Sequence, residues 1–262
     1  MSTPSAISPS PRGLAVVTGA SVGIGRAASE ALEKAGYAVI AASRRLTTAP
    51  SAATGITTHQ LDVTDADSVA ALQRTIANHP VPLTLLVNNA GIPTAAATIA
   101  HSDLADWRGT YNTNVIGAVQ TTQALLPHLI RSHGSVQFIG STVGRVPYER
   151  GAAYAASKYA LTALVQTLRL ELNGQPVRIT EIAPGMMRGD DAGGEFMRTR
   201  FHHDPAAIAA VYKGVEHPLI PEDIADCVVW CATRPPHVDI DLMEVRPLAQ
   251  AAQHKVHRTS VN

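Results

Sequence analysis

Tyr154 and Lys158 stand four residues apart in Gly151-Ala-Ala-Tyr-Ala-Ala-Ser-Lys158, thirteen residues after Ser141. The alanines favour a helix, and residues i and i+4 then share one face. A phenol with its ordinary pKa of about 10 is a poor proton carrier near neutrality. An ammonium ion about 4 Å away, at an effective dielectric of 20, favours the phenolate by roughly 4 kcal/mol, or about three pKa units. A tyrosine tuned that far can exchange a proton with an alcohol oxygen. The competing reading is an ordinary helix face that carries the two residue types by coincidence.

A second group of residues suits a dinucleotide. Thr18-Gly19-Ala20-Ser21-Val22-Gly23-Ile24-Gly25 lies between an apolar strand and a helical stretch. Glycines there let the backbone turn tightly and approach a pyrophosphate held at the helix N-terminus. The spacing is G-x-x-x-G-x-G rather than G-x-G-x-x-G, and a plain Gly-rich turn is the alternative. Ser43-Arg44-Arg45 falls at the end of the second strand, where NAD-selective folds carry an acid for the ribose hydroxyls. Arg44 and Arg45 favour a 2′-phosphate instead, and hence NADP; a solvated basic turn is the alternative. Asp62-Val63 follows the third strand, at the place for an adenine edge. Asn88-Asn89-Ala90-Gly91 follows the fourth, at the place for the crevice floor. Either also suits an ordinary turn.

The elements that must position these residues alternate along the chain. Strands are predicted at Leu14–Thr18, Ala38–Ala42, Ile56–Leu61, Leu83–Val87, Ser135–Ile139, Val177–Ile182 and Ile240–Val245. Helices are predicted at Gly23–Ala35, at Asp65–Asn78 with Thr64 or Asp65 as N-cap, from Leu104 to Ser132 with a kink near Pro127, at Gly151–Asn173 and at Pro221–Ala232. Apolar strands alternating with helices predict an α/β fold: one doubly wound, Rossmann-like parallel sheet with helices on both faces and the ligand crevice at the strand carboxyl ends. Residues 1–12, rich in Ser and Pro, are predicted to be disordered, 13–248 to form the catalytic domain, and 249–262 a tail. The irregular 184–218 segment reads as a substrate loop.

Bulk properties exclude several classes. The 262 residues carry 21 basic and 21 acidic side chains, so nothing favours nucleic acid or an anionic membrane as partner. No apolar run approaches the ~18 residues of a membrane span, and the N-terminus lacks a charged region followed by an apolar one. Two cysteines, Cys227 and Cys231, make no disulfide framework and read as buried thiols on a helix, with a reducing cytoplasm as the expected compartment. His202-His203 reads as a polar loop, with no companion ligands for a metal.

Taken together, Thr-Gly-x-x-x-Gly-x-Gly, Asn-Asn-Ala-Gly, Asn114, Ser141, Tyr-x-x-x-Lys and Pro184-Gly185 resemble the short-chain dehydrogenase/reductase family from about residue 13 to 247. The resemblance implies that Tyr154 is the general acid for a carbonyl oxygen, or the base in reverse. Lys158 would lower its pKa and hold the nicotinamide ribose, Ser141 would orient the substrate oxygen, and Asn114 would hold a water relaying protons to Lys158. Gly19, Ser21, Gly23, Ile24, Gly25, Arg44, Arg45, Asp62, Val63, Asn89, Ala90, Gly91, Pro184 and Gly185 would line the NADP site with Tyr154 and Lys158. The C-terminal portion, Pro221-Glu-Asp-Ile-Ala-Asp onward, is similar to an NADP-dependent 3-hydroxy acid, serine dehydrogenase and sulfoacetaldehyde reductase branch. That similarity implies a homotetramer, or a homodimer, with C-terminal tails packed across subunits; a frayed terminus is the alternative. One departure stands out: Gly189 occupies the place of a threonine that holds the nicotinamide carboxamide in the family. Arg200 is the first choice for an anionic substrate group, with Arg145 and Arg150, flanking Tyr148, as alternatives. The implied activity is NADPH-dependent reduction of a small aldehyde or ketone, or oxidation of a 3-hydroxy or β-hydroxy amino acid. A non-catalytic dinucleotide sensor is the rival class, since fold does not fix function; intact Ser141, Tyr154 and Lys158 argue against it.

Overall fold

The computed structural model describes residues 11–48 and 55–259. Seven strands form one sheet: β1 Leu14–Thr18, β2 Ala38–Ser43, β3 Ile56–Gln60, β4 Leu83–Asn88, β5 Ser135–Ile139, β6 Arg178–Pro184 and β7 Leu242–Val245. Their spatial order is β3-β2-β1-β4-β5-β6-β7, and every pairing is parallel. Strands β1 and β5 are buried at every position, as a sheet covered on both faces requires. The covering helices are α1 Gly23–Lys34, α2 Ala66–Ala77, α3 Leu104–Tyr111, α4 Gly117–Arg131, α5 Ala152–Glu171, α6 Asp190–Arg200, α7 Pro205–Tyr212 and α8 Pro221–Ala232.

Alternation along the strands sends side chains into two cores. Leu14, Val16, Phe138 and Ile179 pack with Leu72, Leu125 and Leu161 of α2, α4 and α5. Ala15, Val17, Leu85 and Ile182 pack with Leu32 of α1 and Ile224 and Val228 of α8. Phe138 is fully buried in the first core. Phe138→Ala is expected to cost about 3–5 kcal/mol, read as a shifted denaturation midpoint at unchanged slope. After β3 the chain crosses to the far side of β1 and continues as β4. The strand order therefore reverses between β1 and β4, and the crevice opens at their carboxyl ends.

The departures from expectation lie around that crevice. The long helix predicted from Leu104 is interrupted not at Pro127, which lies inside α4, but by a π-helical turn at Asn112–Ile116. Such turns insert a residue and re-aim side chains, frequently at functional sites. The predicted 184–218 loop contains α6 and α7. Helix α7 begins with an Asp204 carboxylate accepting from the N–H groups of Ala206 and Ala207, with Pro205 in the first turn. Asp-Pro is an ordinary helix start, and the surrounding glycines and histidines concealed it.

Nor is the C-terminal tail frayed over its described residues. Two short antiparallel strands, β8 Gln250–Ala252 and β9 Lys255–Val256, fold back on their own chain. Gln250 Oε1 accepts from the N–H of Met186 at 2.7 Å, and Gln253 Oε1 from the Thr142 hydroxyl at 2.9 Å. The disorder expected of 1–12 falls, up to Ser10, outside the described residues. Arg12 is anchored, donating from its backbone N–H to Gly36 and from Nε to Ala35. Both cysteines sit on α8, where burial pushes both thiols up, Cys231 to about 11.

Candidate active site

Tyr154 lies in the first turn of α5, and its ring is buried rather than turned to solvent. The ring meets Phe196 of α6 edge-on at 5.2 Å. Lys158, one turn later and also buried, places Nζ 5.8 Å from the Tyr154 ring centroid and donates to the carbonyl of Ile139 at 2.7 Å. The two residues share a face, as their spacing predicts. Burial works against the acidification expected of the phenol. Burial pushes the Tyr154 phenol well above its ordinary value, and Tyr148 adds to that. A Ser141 hydrogen bond and the Arg200 charge pull the other way. Burial brings the Lys158 ammonium down to about 8 against the opposing pull of Glu181. Burial is the largest influence on both groups, and the ammonium is held against the end of β5.

Ser141 follows β5 and caps a short 3₁₀ turn, Thr142–Gly144. Its hydroxyl accepts from the N–H of Val143 at 3.2 Å and donates to the carbonyl of Pro184 at 3.4 Å. Asn114 stands in the π-turn. Its amide accepts from the N–H of Ile92 at 2.8 Å and donates to the Ile92 carbonyl and to Ser157 Oγ, each at 3.0 Å. The side chain thus ties the segment after β4 to α5.

On the cofactor side, α1 begins at Gly23 with no side-chain cap and no acidic residue in its first turn. A Cβ on Gly23 would meet nothing within 4 Å, so room for an anion lies over the helix start. At Gly25 the fit is the reverse: a Cβ would lie 2.5 Å from Asn89 Nδ2 and from the Gly19 carbonyl, so only glycine lets α1 approach β4. Asn89 is spent on that junction, its amide donating to the Thr18 carbonyl at 2.8 Å, while Thr18 Oγ1 accepts from the N–H groups of Asn89 and Ala90. Arg45 crosses from the end of β2 to Ser21, with Nε and Nη2 at 3.2 and 3.1 Å from the Ser21 hydroxyl, and pairs with Glu195 of α6. Asp62 turns back on its own loop. It accepts from the N–H and hydroxyl of Thr64, and although burial pushes its carboxyl up, those bonds and the Arg44 charge hold it below the usual value. The Val63 side chain is buried beneath α4. Beyond β6, the N–H of Gly185 donates to Val245 at 2.7 Å, and Gly189 serves as the N-cap of α6.

The three arginines offered for an anionic substrate separate cleanly. Arg145 is bound to the buried Glu181 through Nη1 at 3.0 Å and Nη2 at 2.6 Å. Arg150 donates to the Ala96 carbonyl. Each of these two guanidinium groups thus has a protein acceptor. Arg200, by contrast, is buried with its guanidinium 4.7 Å from the Tyr148 ring centroid, and its charge bears on Tyr154. Its Nη2 donates to the Arg150 carbonyl at 3.1 Å, and its buried Nη1 has no hydrogen-bond partner. His202 and His203 follow α6 with positive φ angles of 50° and 62°.

Glu195, Phe196, Gln250, Gln253 and Glu181 were not predicted as site residues. Glu181 left a trace: an acid within Ile-Thr-Glu-Ile-Ala, an otherwise apolar strand, signals a buried charge that must be paired.

This geometry agrees with comparison. Residues 13–196 match the family model of short chain dehydrogenases. An uncharacterized oxidoreductase of Mycobacterium tuberculosis is 42% identical over 242 residues, covering 91% of this chain and 92% of its own. A sulfoacetaldehyde reductase of Chromohalobacter salexigens is 36% identical, covering 91% and 95%. The solved closed form of a serine dehydrogenase with NADP+ superposes with a TM-score of 0.82 at 30% identity, covering 94% of this chain and all of its own. The chain belongs to the short-chain dehydrogenase family. It is an NADP-dependent oxidoreductase.

Proposed function

We propose that the protein reduces a small aldehyde or ketone bearing a carboxylate or sulfonate, using NADPH. The observation that carries this reading is the buried Arg200 guanidinium, which lies over the Tyr148 ring and whose charge bears on Tyr154. A buried guanidinium charge costs free energy that an anionic ligand would recover. The sulfoacetaldehyde reductase relative supports the same substrate class. Bound NADPH supplies the hydride. Tyr154 gives its hydroxyl proton to the oxygen on which charge develops, and Ser141 holds that oxygen in place. Lys158 stabilises the phenolate left behind and holds the cofactor's ribose, while Asn114 braces α5 against the segment after β4. Rate measurements over a panel of aldehydes and ketones, each with and without an acidic group, test the reading. A preference for neutral carbonyl compounds would overturn it. Oxidation of a 3-hydroxy or β-hydroxy amino acid uses the same groups in reverse and is the second reading, favoured by the serine dehydrogenase structure.

Two further expectations follow from this reading. Arg45→Ala should weaken NADPH binding by roughly 10- to 150-fold, the loss of one charge-assisted contact, and leave NADH binding unchanged. Equal loss for both cofactors in a fluorescence titration would remove Arg45 from 2′-phosphate recognition. Lys158 is charged below about pH 8 and neutral above it, so kcat/KM for reduction should fall as pH rises through that value. A profile flat from pH 7 to 10 would remove Lys158 from the chemistry.

The same reading includes a homotetramer, or a homodimer, in the cytoplasm. Exposed Tyr111 and Ile116 near the π-turn and exposed Tyr159 and Leu170 on α5 support assembly, and the free thiols suit a reducing compartment. Light scattering on the purified protein reads the assembly directly. Among the described residues no helix is long and apolar enough to cross a membrane.

A further inference from the structure

We propose that the buried Glu181 carboxylate, held by Arg145 and Thr162 behind the Ser141 turn, is the positioning residue that keeps the Lys158 ammonium charged and in place. The proposal rests on the proposed catalytic roles of Tyr154 and Lys158. Glu181 projects from the middle of β6, whose neighbours are Phe138 of β5 and Leu242 of β7. It is buried and accepts three hydrogen bonds, two from Arg145 and one from Thr162 Oγ1 at 3.1 Å. Thr162 lies one helical turn beyond Lys158 on α5, and Arg145 ends the 3₁₀ turn that begins after Ser141. One carboxylate therefore ties together the strand, the turn and the helix that carry Ser141 and Lys158.

The backbone is shaped around it. A Cβ on Gly140, the residue between Ile139 and Ser141, would lie 2.3 Å from Glu181 Oε1. The carbonyl that receives Lys158 Nζ belongs to Ile139, immediately before that glycine. Carboxylate and ammonium thus lie on either side of one short turn of chain. The charged and titratable groups bearing on Lys158 are Tyr154 from its own helix and Glu181 from β6, with Arg145 behind Glu181; β5 contributes a carbonyl. Glu181 is the negative charge among them, and it counters the burial that drives Lys158 toward its neutral form. Arg145 moderates that influence while preventing a lone buried acid.

Two variants of opposite electrostatic sign test this. Lysine enriched with ¹³C at Cε gives an NMR titration of the four lysines, and the Lys158 signal is assigned by its loss in Lys158→Met. Glu181→Gln keeps the shape and removes the charge, so the Lys158 midpoint should fall by on the order of one pH unit. The descending limb of kcat/KM should move to lower pH with it. Arg145→Gln leaves the carboxylate without its counter-ion, so the midpoint should rise. Mere structural damage would not move the two variants in opposite directions. A Lys158 midpoint unchanged in folded Glu181→Gln protein overturns the proposal. Should that variant fail to fold, a midpoint in Arg145→Gln that falls or stays in place overturns it equally. Because the titration is read without substrate or cofactor, its outcome stands apart from whether the proposed reaction is correct.

Discussion

Tyr154→Phe is expected to lower kcat for carbonyl reduction by about 10²- to 10⁴-fold while leaving NADPH affinity within about threefold of wild type. The substitution removes one oxygen and keeps the ring that packs edge-on against Phe196, so the pocket retains its shape. The proposed cofactor contacts at Arg45 and the start of α1 lie on other elements and should not change. The phenol is buried and keeps its proton at neutral pH, so it stands in the acid form that reduction requires. Stopped-flow and steady-state kinetics with NADPH, alongside equilibrium binding, separate the two effects. Turnover surviving within tenfold of wild type would remove Tyr154 from proton transfer.

Arg200→Met should be the most selective variant of the substrate pocket. For carbonyl compounds carrying a carboxylate or sulfonate, kcat/KM is expected to fall by about 30- to 5,000-fold, the roughly 2–5 kcal/mol associated with losing one partner of a desolvated charge pair. Neutral analogues should be affected by less than about threefold. Methionine replaces much of the apolar stem that lies over Tyr148, so the comparison isolates the guanidinium. Lysine should restore little, because its ammonium cannot hold the Arg150 carbonyl and a ligand oxyanion in the same planar fork. An equal loss for neutral and anionic substrates would mean that Arg200 supports the pocket without reading the ligand.

The fold was legible because strands such as Leu14–Thr18 and Ser135–Ile139 are short, apolar and buried on both faces, and because helices such as Pro221–Ala232 announce their ends. Tyr154 and Lys158 were legible because helical geometry alone places them on one face. Their electrostatics were not. The distance and solvation of a charge pair depend on what the third dimension supplies, here the Ile139 carbonyl and Glu181. The same holds for the arginines: Arg145, Arg150 and Arg200 are equivalent as letters, and only partners distant in the chain distinguish them. The predicted loop at 184–218 misled because glycines and clustered polar residues concealed two helices. The hairpin at Gln250 was invisible because a three-residue strand has no periodicity to read.

Helix α6 meets both proposed ligand sites at once. Glu195 joins the arginine at the proposed cofactor phosphate, Phe196 lies on the Tyr154 ring, and Arg200 lies over Tyr148 at the proposed anion subsite. Selectivity for coenzyme and selectivity for substrate are therefore mechanically linked through a single rod of eleven residues. Directed evolution that randomises this segment to admit a bulkier carbonyl compound should drift in its discrimination between phosphorylated and unphosphorylated coenzyme as well. Libraries confined to the Tyr148 side of the pocket should not.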